Sequence, residues 1–281
     1  MAASTTKKVL HSLRQSKRGL IGCVIVLSVL VVAITAPWFS PFDPLKQDLN
    51  LRLKPPAFKG ADGIHWLGTD HLGRDIVSRI IYGSRVSLII SLCAVSIAAS
   101  LGIVIGLITG FFRGRIDSIF MCLADIQLAF PFILLIIAVV SVLGPSMRNI
   151  IITLGITGWV VYARIVRSEV LSLREREFIT AARALGCGNF KMIFFHLLPN
   201  VAASCIVIVT LEIARMIMVE SGLSFLGLGI QPPTPCWGGA LADGRTYLFT
   251  SWWLATFPGI ALMVTILGVN MMGDWLRDFF T

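Results

Sequence analysis

Residues able to do chemistry are scarce in this chain and sit in unusual company. The apolar run 201–225 is interrupted by Glu212, Arg215 and Glu220, and the run 119–143 carries Asp125 and Gln127 ahead of Pro131. A charge at the centre of a membrane-spanning helix costs roughly 2.5–3.5 kcal/mol on insertion scales, so each of these must pair or face water. Glu212 and Arg215 stand three apart, a spacing that sets both on one helix face. Asp125, Glu212, Arg215 and Glu220 are therefore candidates for a polar path across a bilayer. For Glu212 and Arg215 a structural ion pair has equal standing. A stand-alone secondary transporter would use such charges as an ion path. Carriers of that kind carry inverted repeats and helices broken at mid-membrane, which this sequence does not clearly display.

Most bond-making chemistry is excluded. There is no Gly-x4-Gly-Lys-Ser/Thr and no Gly-Lys dipeptide at all, so no phosphate cradle of the P-loop kind exists. No His-Glu-x-x-His occurs. The stretch Gly222-Leu223-Ser224-Phe225-Leu226-Gly227 resembles a nucleophile elbow with one residue too many, and no histidine lies in a neighbouring run to act as its base. A membrane protease is thereby disfavoured. His65 and His71, with Asp70 and Asp75 nearby, lack a third fixed ligand, and a hydrogen-bonded turn is expected there instead of a metal. The six cysteines, Cys23, Cys93, Cys122, Cys187, Cys205 and Cys236, form no Cys-x-x-Cys and suggest no disulfide. No enzyme and no cofactor bound by this chain are expected.

The elements that must position these residues are helices. Of 281 residues, 56% are hydrophobic and only 14% charged, too apolar a mixture for a soluble domain. Six runs reach the length of about 20 residues that a spanning helix needs: 19–38, 86–112, 119–143, 149–166, 201–225 and 252–276. They are too continuous for barrel strands. The fold class is an all-α membrane protein with six transmembrane helices. The first run exceeds the apolar core of a secretory signal and ends in Ala36-Pro37-Trp38-Phe39, an interfacial anchor, so it is a retained span. Basic residues, from Lys7, Lys8 and Arg14 to Arg174, Arg176 and Arg183, fall in excess on one side, which with an even number of spans places both termini in the cytoplasm. The net charge of +9 is topology and not a nucleic-acid patch, since no basic run is interleaved with stacking aromatics.

Residues 1–85 comprise a cytoplasmic tail, the first span and an extracytoplasmic segment; residues 86–281 form a five-helix core with a cytoplasmic loop over 169–200. The 40–85 segment opens irregularly around its prolines. Asp70 with Arg74 and Asp75 with Arg79 then have i,i+4 spacing, predicting a turn and an amphipathic helix on the membrane surface. Gly102, Gly106 and Gly110 make a ladder that admits another helix at close range. Pro131 and Pro258 predict kinks.

Between Glu177 and Pro199 the pattern is Glu-x3-Ala-Ala-x3-Gly-x9-His-x-Leu-Pro. A helix is expected over 175–185, ended by Gly186-Cys187-Gly188, and a second over 190–197, capped by Asn189 and terminated by Pro199. Two short helices at a glycine corner make a knob with a small-residue surface of Ala181, Ala182 and Ala184, suited to close docking by another protein.

This stretch resembles the EAA loop of permease subunits of bacterial ABC importers, on Glu177, Ala181, Ala182, Gly186, Leu198 and Pro199, with His196 where isoleucine is usual and the glutamate three residues further from the alanine pair. The resemblance extends to HWLGTDHLGRDIVSR, SGLSFLGLGIQPPTPCWGGAL and WWLATFPGIALMVTILGVNMMGDWLRD, which look like the C-type subunit of dipeptide, oligopeptide and nickel permeases. What it implies is a type I importer permease fold, pairing with a related second permease. Two cytoplasmic ATPases, which bind ATP and magnesium, would seat the 174–199 loop, and a substrate-binding protein would dock outside. Di- or oligopeptides are the first expectation for substrate and nickel or a nickel chelate the second.

Overall fold

The computed structural model describes residues 12–280; Lys7 and Lys8, counted above, lie outside them. The first span, α1 (Lys17–Phe39), starts where the Ser16 hydroxyl accepts the Gly19 N–H at 3.1 Å. A loop with a single 3₁₀ turn and a two-stranded hairpin follows, β1 (Phe58–Gly60) and β2 (Gly63–His65), with Phe58 opposite His65. Then come α2 (Ile76–Phe112), α3 (Gly114–Leu128), α4 (Phe132–Leu143), α5 (Met147–Thr157), α6 (Trp159–Leu173), α7 (Glu177–Ala184), the short α8 (Asn189–Lys191), α9 (Leu198–Phe225), α10 (Trp237–Arg245) and α11 (Trp253–Phe280). Among the described residues, five helical stretches are long and apolar enough to cross a membrane, six when α3 and α4 count as one broken span.

The axis of the bundle is α2. Its 37 residues span about 55 Å, well beyond a hydrocarbon core of about 30 Å. The expected surface helix is thus not separate: the segment from Ile76 runs straight into the span. Nor does Asp75 pair with Arg79, because Asp75 is the N-cap of α2 and its carboxylate accepts the Ser78 N–H at 2.8 Å. A cap needs its carboxylate turned back onto the first turn, away from a residue four positions on.

Along α2, Gly102, Gly106 and Gly110 face α6. A Cβ built on Gly102 would lie 2.4 Å from the Trp159 carbonyl oxygen, one on Gly106 2.8 Å from that of Ala163, and one on Gly110 2.8 Å from the Val170 Cβ. The two backbones therefore approach closely over about two helical turns, as small residues at four-residue spacing permit. The main core lies between α2, α4, α5, α6 and α9, around Ile90, Ile136, Leu154, Tyr162 and Met216. A second core, of Leu107, Phe111, Val166, Val170, Ile179, Met192 and Leu197, sits beneath α7.

Pro131 does more than kink the third span. The axes of α3 and α4 differ by 87° across residues 129–131, since proline lacks an N–H and pushes its predecessor out of the α region. The fourth span, α5 with α6, extends to Leu173, beyond the expected end at 166. Two elements were not foreseen, the hairpin and α10, both too short to give a periodic signal.

Gly106→Val should destabilise the purified protein by about 1–3 kcal/mol through overpacking, seen as a lowered Tm in detergent. Gly222→Ala, which meets nothing within 4 Å, should stay within about 1 kcal/mol of the parent.

Candidate functional site: an exposed apolar knob and the charges within the bundle

The 174–199 segment forms a knob at one end of the bundle. Glu177 opens α7 and lies in its first turn, where a carboxylate complements the helix dipole. The helix closes with Gly186 at φ +78°: the Gly186 N–H donates to the Arg183 carbonyl and the Cys187 N–H to the Ala182 carbonyl, both at 3.0 Å. This paired 5→2 and 6→1 closure demands a left-handed residue, which glycine supplies without penalty. Arg174 anchors the base by donating to the Phe111 carbonyl at 2.6 Å, and Arg113 meets Glu175 at 2.9 Å.

The second half of the knob differs from expectation. Asn189 is the first helical residue, with Gly188 ahead of it, and no side chain caps this start. Pro199 ends nothing: a π turn over Met192–Leu197 leads directly into α9, with proline in its first turn. Such local widening admits a residue without an N–H. The result is one helical stretch, Asn189–Phe225, of 37 residues.

Ala181 and Ala184 are exposed, while Ala182 turns partly into the core beneath. The dominant surface is not alanine. Phe178, Leu185, Phe190, Phe194 and Phe195 are all exposed, Leu185 by 89%, with the rings of Phe190 and Phe194 4.5 Å apart. Five large apolar side chains on one projection form a patch of the kind that marks a protein interface. Sequence reasoning passed over them, although the i,i+4 spacing of Phe190 and Phe194 was a signal for a shared face.

The four intramembrane charges are not gathered into one path. The Arg215 Nη1 donates to both Glu212 oxygens at 3.2 Å, and its guanidinium lies 4.4 Å from the centre of the Phe132 ring. Glu220 is fully buried and accepts from Ser87 at 2.9 Å, Ser224 at 2.8 Å and Ser221 at 3.4 Å. Asp125 of α3 pairs with Arg164 of α6, and Asp117 with Arg167 at 2.5 Å. Neither arginine had been assigned to a pair, because their partners lie on a helix far away in sequence. Gln127 is satisfied by the Thr157 carbonyl and the Trp159 indole. Ser224 donates to Glu220 and accepts the Ile230 N–H at 3.1 Å, with no histidine among its partners in the described residues.

At the opposite end of α9 lies a compact ion cluster. Asp70 accepts from Arg74 at 2.7 Å and from Arg79 at 2.5 Å, and both arginines reach Asp243 of α10, at 3.4 and 3.1 Å. Burial pushes the Asp70 carboxyl up, but Arg79, Arg74 and the Arg74 and Leu72 N–H groups outweigh it and hold the group below the usual carboxylate range. His65 bonds Asp75 at 2.9 Å and stacks on Phe42 at 4.5 Å. The donor atoms of Asp70, His71 and Asp243 lie within 4.8 Å of one another, but two arginines already neutralise both carboxylates, an unfavourable setting for a cation.

Residues 102–281 match the family described as the inner membrane component of binding-protein-dependent transport systems, and residues 4–56 match the N-terminal transmembrane domain of oligopeptide transport permease C. The chain belongs to this family. It is a multi-pass inner-membrane permease component. The permease is 40% identical to the di/tripeptide transport system permease protein DppC of Pseudomonas aeruginosa, over 98% of this chain and 91% of that one. It is 42% identical to the dipeptide permease DppC of Alkalihalophilus pseudofirmus, over 99% and 90% respectively. With the nickel permease protein NikC of Escherichia coli it shares 41% identity over 91% of this chain and 90% of the other.

Asp70→Asn leaves the two arginines of the ion cluster under-compensated and should destabilise its loop by about 3–5 kcal/mol, detected as faster proteolysis within residues 40–75. Because the folded carboxyl titrates below its unfolded value of about 4, its contribution is complete above about pH 4 and fades as pH falls below that. Protease protection of the wild-type loop measured against pH should follow this course.

Proposed function

We propose that this permease is one half of the translocation pathway of an ATP-driven importer of di- and oligopeptides, joined to a related second permease. It receives substrate from a binding protein at the end of the bundle carrying residues 40–75 and α10, and docks two ATPase subunits through the 174–199 knob. The observation that carries the reading is similarity to dipeptide permeases over essentially the whole length of this chain. Nickel or a nickel chelate is the second reading for the cargo, favoured by the similarity to a nickel permease. The knob would lie in the cytoplasm with both termini.

The mechanism is mechanical and the chain itself makes and breaks no bonds. ATP and magnesium belong to the ATPase subunits. Nucleotide closes the two ATPases because it binds their closed state more tightly, and that differential affinity is what moves the permease. The exposed Phe178, Leu185, Phe190, Phe194 and Phe195 seat in the ATPase surface, and the closure formed by Gly186 fixes the angle between α7 and the helix that continues into α9. Glu177, Ala181, Ala182, Gly186, Leu198 and Pro199 act here as coupling residues, shaping the knob and its junction with the span. Rocking of the two permeases as rigid bodies then alternates access to the two sides.

Gly186→Val places a β-branched residue in the left-handed region, a strain of about 1–3 kcal/mol. In reconstituted complex, peptide uptake per ATP hydrolysed should fall about tenfold or more while the protein still reaches the membrane. Undiminished uptake per ATP would refute the coupling role. Phe190→Asp adds no backbone strain and should reduce co-purification of the ATPase subunits.

A further inference from the structure

At the right-angled break of the third span a cavity of about 220 Å³ opens between α3, α4, α6 and α9. Its walls are mainly apolar, Phe130, Phe132 and Val161 among them, with the polar Gln127 and Thr157 beside these, and Arg215 is the one charged residue lining it among the described residues. Glu212 does not line it. The carboxylate that neutralises Arg215 therefore stands away from the cavity, which meets only the cation.

Depth and exposure say what this cavity faces. Arg215 lies ten residues before the end of α9 at Phe225, about 15 Å along the helix, half the thickness of a hydrocarbon core of about 30 Å. Its side chain is 36% exposed. On the neighbouring helices the paired Asp125 and Arg164 side chains are exposed by 68% and 45%. Charges exposed at such depth cannot face lipid, so this side of α3, α6 and α9 faces water or protein. Of the helices around the cavity, α3 and α4 are thinly packed, α3 resting mainly on α2 and α4 on α5, whereas α6 and α9 are held firmly in the bundle.

The guanidinium is set up to accept a further ligand. Only Nη1 is engaged by Glu212, and no other hydrogen-bond partner exists for Arg215 among the described residues. A planar donor fork held on one edge by a carboxylate and on its face by the Phe132 ring keeps its remaining edge ordered, and carboxylate is the group that fork matches in pairs of bonds. The cavity is smaller than the 300 Å³ or so of a pocket that encloses a whole ligand. It holds one end of a molecule.

Resting on the importer reading above, we propose that Arg215 and this cavity form a mid-membrane subsite for the terminal carboxylate of the peptide in transit, with the apolar walls taking the last side chain. A zwitterionic peptide held this way adds no net charge to the membrane interior. An importer with this subsite discriminates against peptides whose terminal carboxylate is blocked, independently of the binding protein's own choice.

The test uses the complete complex, with its binding protein, in proteoliposomes. Uptake of alanyl-phenylalanine is compared with that of its C-terminal amide, at saturating concentration of each. The binding protein is common to all arms, so its selectivity cancels when the acid-to-amide rate ratio of a variant is divided by that of the wild type. Arg215→Gln should lower the ratio about tenfold, and Arg215→Lys should restore it in part. Since Arg215→Gln leaves Glu212 unpaired, the double variant E212Q/R215Q serves as a charge-balanced check and should show the same fall. A ratio that does not move, or equal losses for acid and amide, overturns the subsite and assigns Arg215 to the partner permease or to structure. A wild-type complex that takes up neither peptide but accumulates nickel overturns instead the peptide reading on which the subsite rests.

Discussion

The bundle depends on how closely α2 and α6 approach. Three glycines at four-residue spacing bring the α2 backbone against the carbonyls of Trp159 and Ala163 and the side chains of Val166 and Val170. In a bilayer no hydrophobic effect drives one apolar helix onto another, so contact area at short range does that work. Everything else is referred to this seam. The main core fills the space on one side of it, the second core lies at its end, and the knob rests on Val166, Val170 and Phe111 through Ile179. Moving the seam by one side-chain radius would lift the knob from its base.

A second regularity is that most polar groups within the apolar segments find partners, the buried Thr153 and Tyr162 hydroxyls being exceptions among the described residues. Glu220 collects three serine hydroxyls, Gln127 an indole and a carbonyl, Asp117 and Asp125 an arginine each. A buried group without a partner costs several kcal/mol, and this pressure explains why most such residues are structural. Arg215 differs from these in that its guanidinium, paired with Glu212 on one nitrogen, lines a cavity that Glu212 does not line.

Spans were legible in the sequence because length and continuity of apolar residues decide them without reference to neighbours. The glycine ladder and the 212–215 spacing were legible for the same reason, each being a pattern within one helix. Pairings between helices were not. Asp125 with Arg164 and Asp243 with Arg74 and Arg79 join residues 39 to 169 positions apart, and no local rule singles them out. Asp75 was misassigned because one carboxylate had two local options, a salt bridge one turn on or a helix cap, and the cap won. Pro199 was misread because its effect depends on the π turn before it, which tertiary packing of Met192, Ile193 and Leu197 selects. On the knob, spacing was visible in the sequence while the burial of Ala182 and the exposure of the phenylalanines followed from which face met the second core.

The unbroken helix from Asn189 to Phe225 has a mechanical consequence. At 37 residues it is a rod about 55 Å long with the phenylalanine patch at one end and Arg215 about two-thirds of the way along. A tilt of about 5° about its middle shifts each end by about 2 Å in opposite directions. With no hinge between them, a displacement imposed on the knob is delivered to the mid-membrane cavity as leverage, and its timing is that of a rigid body. The π turn below Pro199 lies at the loaded end, among the phenylalanines themselves, and regular α-helix runs from Leu198 past Arg215 to Phe225.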